Sequence, residues 1–168
     1  MAKTKPKMTK DIVPEGFSYA LAAVDLLPVI FFGGTGVLLG LIVGSPVVGI
    51  AASLCFVSGL FKVLWKFIVI AKRKNVWWMF LQMRILMPIG MAALILGLCL
   101  SESHKGAHFL QSPQVLLFAL GIGGMGLMGY LGTHLDSADP KSNRIEQLTN
   151  TFAQMCIFAG VLIVYLSV

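Results

Sequence analysis

Charge is what this sequence has least of. Only 12% of its 168 residues are Asp, Glu, Lys or Arg, about half the share found in soluble domains. With 57% hydrophobic residues and a mean hydropathy of +0.86, the chain cannot cover a water-soluble globule with polar surface. Acidic residues are the scarcest, seven against thirteen Lys and Arg, leaving a net charge of +6. That excess does not point to nucleic acid, because the basic residues gather beside apolar runs and form no face interleaved with aromatics.

Paired cysteines are missing too. Cys55, Cys99 and Cys156 stand far apart with no C-x-x-C among them, which excludes a thiol-disulfide motif or a zinc ribbon. Each falls inside an apolar run, where cysteine is a small packing residue. A G-x-G-x-x-G can be picked out at Gly121, Gly123 and Gly126, but no strand precedes it, so a dinucleotide site is not expected. Glu102, His104 and His108 in "SESHKGAH" make at most a thin set of metal donors, and His134 stands alone. The expectation is therefore a protein without catalysis, metal or cofactor.

What is abundant is long apolar sequence. A hydrocarbon core about 30 Å thick needs about 20 apolar residues per helix, and the chain offers five such runs: Phe17 to Val43, Pro46 to Ala71, Trp77 to Leu100, Pro113 to Leu135 and Ile145 to Val168. The fold expected is all-α, a polytopic membrane bundle of five transmembrane helices. Residues 1–16 form a basic tail and residues 17–168 a single transmembrane domain. The first run is too long for the apolar core of a signal peptide and is read as a retained helix. "MAKTKP" lacks the glycine that myristoylation requires. Asp139 suits an N-cap and Pro140 the first position of the last helix.

Orientation follows from the basic residues. Lys3, Lys5, Lys7, Lys10, Lys72, Arg73, Lys74, Lys141 and Arg144 fall on one side of five alternating spans, and Lys105 on the other. The positive-inside bias places the N-terminus in the cytoplasm and the C-terminus outside. Trp65, Trp77 and Trp78 flank the Lys72–Lys74 loop as an interfacial belt would. A bacterial cytoplasmic membrane is the expected location.

Two glycine series describe the packing. Gly36, Gly40 and Gly44 recur every four residues, and Gly123, Gly126, Gly129 and Gly132 every three. Such faces let another helix backbone approach closely, within the bundle or between protomers.

The polar residues inside the runs are the candidate site. Lys62 and Lys66 interrupt the second run, Arg84 the third and Asp25 the first. Counted from the cytoplasmic ends of the runs, Lys66 lies about 9 Å deep, Arg84 about 10 Å, Asp25 about 12 Å and Lys62 about 15 Å. Asn143, Gln147, Asn150 and Gln154 share one face of the fifth run, the last two reaching similar levels. The expectation is a cluster in which Asp25 faces Lys62, Lys66 and Arg84, with Asn150 and Gln154 completing hydrogen bonds. Lys62, the deeper lysine, is expected to need the pairing more than Lys66. Pro28, one turn beyond Asp25, would free the Val24 carbonyl beside it.

Two functions fit. The favoured one is a small accessory or assembly subunit, in contact with membrane lipids and with a second copy or other membrane subunits. The other is a permease-like carrier taking an anionic solute or lipid phosphate at the cationic cluster. The topology is directly testable. A reporter fused after Val168 should be exoplasmic and one at Ser137 cytoplasmic; the opposite labelling would overturn the five-span orientation.

Overall fold

The computed structural model describes residues 17–101, 108–135 and 140–168. They form five helices: α1 (Tyr19–Val43), α2 (Pro46–Lys72), α3 (Trp77–Cys99), α4 (Gln114–His134) and α5 (Pro140–Ser167). Each is long and apolar enough to cross a membrane, and no strand occurs among the described residues. The protein is an all-helical, multi-pass membrane protein. Helix is the form these runs must take, because hydrocarbon offers no partner to backbone N–H and C=O groups and an α-helix satisfies them within its own segment. Residues 1–16, Glu102, His104, Lys105 and Asp139 lie outside the described residues.

Local signals set the helix limits. Ser18 is extended, and its Oγ accepts the Leu21 N–H at 3.2 Å, so α1 starts two residues later than its apolar run. Gly44 closes α1 with φ 67°, a left-handed value that glycine adopts without steric cost, and Pro46 begins α2. Helix α5 begins at Pro140, five residues before its apolar run, because the polar turn ahead of Ile145 is helical as well.

Successive helices run antiparallel. One end of the bundle, here the basic end, carries the starts of α1, α3 and α5 and the finishes of α2 and α4. In space the order is α4, α5, α1, α2, α3, each packed on the next. Helix α1 is therefore central, while α3 and α4, neighbours in sequence, stand at opposite edges. At the far end, just ahead of α4, Phe109 stacks on Phe118 with centroids 5.9 Å apart. Both rings cover the cluster of Ile42, Val161 and Val164. A second cluster, Val48, Ala51, Ala52 and Leu94, joins α2 to α3 under Phe32 and Leu39 of α1.

Small residues set how closely these helices approach. A Cβ on Gly36 would collide with the Ala52 Cβ, and one on Gly90 with the Cys55 Sγ. Gly40 is less crowded, its nearest contact being the Gly49 Cα at 3.6 Å. On α4 the glycines that meet α5 are Gly121 and Gly124, against Ile157 and Ala153. A Cβ on Gly123, Gly126, Gly129 or Gly132 would instead point into open space among the described residues. Cys55 and Cys156 are buried, whereas Cys99 is exposed because it ends an edge helix.

Gly36→Leu should lower the thermal midpoint in detergent by an amount corresponding to about 1–3 kcal/mol of overpacking. Gly129→Leu should leave the monomer's midpoint unchanged. Equal effects from the two would contradict this packing of α1 on α2.

Candidate functional site

The polar site lies near the basic end, where three helices bring charge to one level. Asp25 is six residues past the start of α1, Lys66 six before the end of α2 and Glu146 six past the start of α5, each about 9 Å along its axis. Since α1 packs between α2 and α5, these groups converge. The Lys66 Nζ meets the Asp25 Oδ2 in an ion pair whose side chains are 3% and 2% exposed. The Phe17 ring covers the ammonium at 5.2 Å and stands edge-on to Trp65, centroids 6.0 Å apart. Glu146 and Lys62 are both within electrostatic reach of Lys66. By formal charge, the carboxylates of Asp25 and Glu146 match the ammoniums of Lys62 and Lys66, two against two.

This differs from the expected cluster in four places. Lys66, not Lys62, is the paired lysine: α1 starts at Tyr19, which brings Asp25 down to the level of Lys66 and leaves Lys62, half-buried, one turn beyond it. Arg84 does not join, being exposed with its guanidinium over the Phe80 ring at 5.0 Å. The early start of α5 carries Gln154 away, about 21 Å along the helix, and shifts Asn150 from near the level of Lys66 to that of Lys62, about 15 Å along. Gln154, buried, donates to the Met125 Sδ of α4 at 3.4 Å, while Asn150 is half-buried. Glu146, absent from the expectation, belongs to the same strip as Asn143, Gln147, Asn150 and Gln154 by helical spacing. That spacing was the signal by which it could have been found.

Beside the pair, Pro28 is buried within α1 and leaves the Val24 carbonyl without its helical donor. Trp65 is not part of an interfacial belt. It is 1% exposed, against 60% for Trp78, and its Nε1–H donates to the Asn75 Oδ1 at 3.0 Å, which ties α2 to the segment leading into α3. The Gln82 Nε2–H group adds bonds to the Ser58 and Met79 carbonyls, both 3.2 Å. His134 is exposed and stacked on Tyr130, with ring centroids 4.0 Å apart. Among the described residues no group of three or more His, Cys, Asp or Glu converges as metal ligands would.

The openings lie elsewhere. A groove of about 820 Å³ between α1 and α2 is floored by Gly33, Gly36, Gly40 and Gly49 and walled by Val37 and Phe56. Another of about 540 Å³ between α4 and α5 is lined by Gly123, Gly124, Leu127 and Phe152. Neither includes Asp25, Lys62, Lys66 or Glu146. Comparison with protein-family models, curated proteins and solved structures finds no match.

A closed pair of this kind fixes the register of α1 against α2, and removing one member leaves the other as an uncompensated buried charge. Lys66→Met should destabilise the protein by about 3–5 kcal/mol, and Lys66→Met with Asp25→Asn should recover much of the loss. Lys62→Met should be milder than Lys66→Met. Unfolding in detergent across these variants measures the coupling, and additive effects at Lys66 and Asp25 would contradict it.

Proposed function

We propose that the protein is a non-catalytic accessory or assembly subunit of a bacterial cytoplasmic membrane, its basic end in the cytoplasm and its C-terminus outside. The observation that carries this reading is the contrast between its polar and apolar surfaces. The charged group is buried and paired: Lys66 meets Asp25, and Glu146 lies within electrostatic reach of Lys66. Two unfilled surfaces are apolar and rich in glycine, the groove between α1 and α2 and the face of α4 that carries Gly123, Gly126 and Gly129. Helix association in lipid relies on close packing at small residues, so these are surfaces on which another membrane helix gains contact. The bundle's neighbours would be lipid together with a second copy or another membrane subunit.

A carrier for anionic solutes would need surplus positive charge open to water. Glu146 lowers the formal surplus near Lys66, and neither of these two grooves includes the pair. The subunit reading therefore has the better support.

A photocrosslinking residue placed at Val37 in the groove, or at Leu127 on α4, should give a discrete protein adduct of constant mass in native membranes. Purified protein in liposomes should pass no anionic solute. Anion flux that disappears in Lys66→Met, together with only lipid adducts at both positions, would overturn the proposal.

A further inference from the structure

Arg84 is left over from the charged group, and its position raises a separate question. It lies seven residues past the start of α3, about 10 Å along the helix, on an edge helix and exposed. A cation facing lipid at that depth is costly unless it reaches a polar partner. Among the described residues it makes no ion pair.

Helix direction supplies the way out. Side chains lean toward the N-terminus of their helix, and α3 has its N-terminus at the basic end, so Arg84 leans toward the headgroups. Its guanidinium lies over Phe80, one turn nearer that end, at 5.0 Å, and Phe80 packs on Trp77 with centroids 5.3 Å apart. The aromatic pair thus seats the guanidinium on the side of Arg84 that faces the basic end. At the foot of α3 the exposed Lys72, Arg73 and Lys74 add positive potential. Along the same helix Leu81, Ile85, Ile89 and Leu96 are 38–58% exposed, a strip suited to hydrocarbon chains.

We infer that Arg84, seated on Phe80, binds the phosphate of an anionic phospholipid whose acyl chains run along the outer face of α3. The planar guanidinium offers two parallel N–H donors to phosphate oxygens. The neighbouring basic loop favours a lipid of net negative charge over a zwitterionic one. This site is distinct from the Lys66 pair and does not depend on what, if anything, docks in the α1 and α2 groove.

The test uses the full chain in vesicles of phosphatidylcholine containing a small fraction of lipid brominated on its acyl chains. Trp78, exposed on the same strip, reports lipid occupancy by fluorescence quenching. Brominated phosphatidylglycerol should quench several-fold more effectively than brominated phosphatidylcholine. Arg84→Gln should abolish that difference, Arg84→Lys should keep part of it, and Lys141→Gln on α5 should keep all of it. Inorganic phosphate in the buffer should not compete. The inference is overturned if wild type shows no preference, if Arg84→Gln retains it, or if free phosphate displaces it. It is equally overturned if Arg84→Gln releases a protein partner from native membranes while the lipid preference stays unchanged.

Discussion

The pairing of Lys66 with Asp25 is the interaction on which the arrangement of the bundle turns. Helix α2 reaches the basic end at its C-terminus, so its side chains lean away from the headgroups. A lysine about 9 Å from that end cannot solve its solvation problem by stretching outward as easily as one on α1, α3 or α5 could. It needs a carboxylate inside the bundle, and Asp25 supplies one at matching level. That requirement places α1 against α2 in one register, and Glu146 within electrostatic reach from α5 ties the other neighbour of α1 to the same level. Arg84 shows the converse case. At nearly the same distance from the basic end, but on a helix of opposite direction, it remains outside the bundle.

The class of fold was legible because its cause is local. Five runs of sufficient length, separated by glycine, proline and charge, state the helices outright, and four of the five begin within two residues of the run that marks them. The fifth begins early because the turn from Pro140 to Arg144 is polar yet still helical, and an apolar-run criterion is blind to it. That five-residue difference accounts for the errors on α5. Depths measured from Ile145 brought Asn150 and Gln154 near the level of Lys66, whereas depths from Pro140 bring Glu146 there instead. Lateral order was not legible at all. Nothing in the spacing says that α3 and α4 stand at opposite edges, because that is decided by which faces fit, and contacts such as Gly36 on Ala52 or Gly124 on Ala153 involve pairs distant in sequence.

The two glycine series illustrate the same limit. They look alike as patterns, yet Gly36 presses against α2 while Gly126 and Gly129 face open space among the described residues. Spacing shows that a face is smooth; only the neighbouring helix shows whether that smoothness is used internally. The division leaves Gly36 engaged inside the bundle, while the Gly126 and Gly129 face of α4 is open among the described residues.

The edge positions of α3 and α4 also have a meaning for biogenesis. Helices α1, α2 and α3 form one hairpin-linked set of neighbours and α4 with α5 another, and the two sets meet where α5 lies against α1. The break in spatial order falls between Cys99 and Gln114, in a connection whose Phe109 covers the far end of that seam. A translocating ribosome would therefore deliver two locally complete packets in succession. Severed between Cys99 and Gln114, the chain would yield halves that each keep their internal neighbours and meet chiefly where α5 lies against α1.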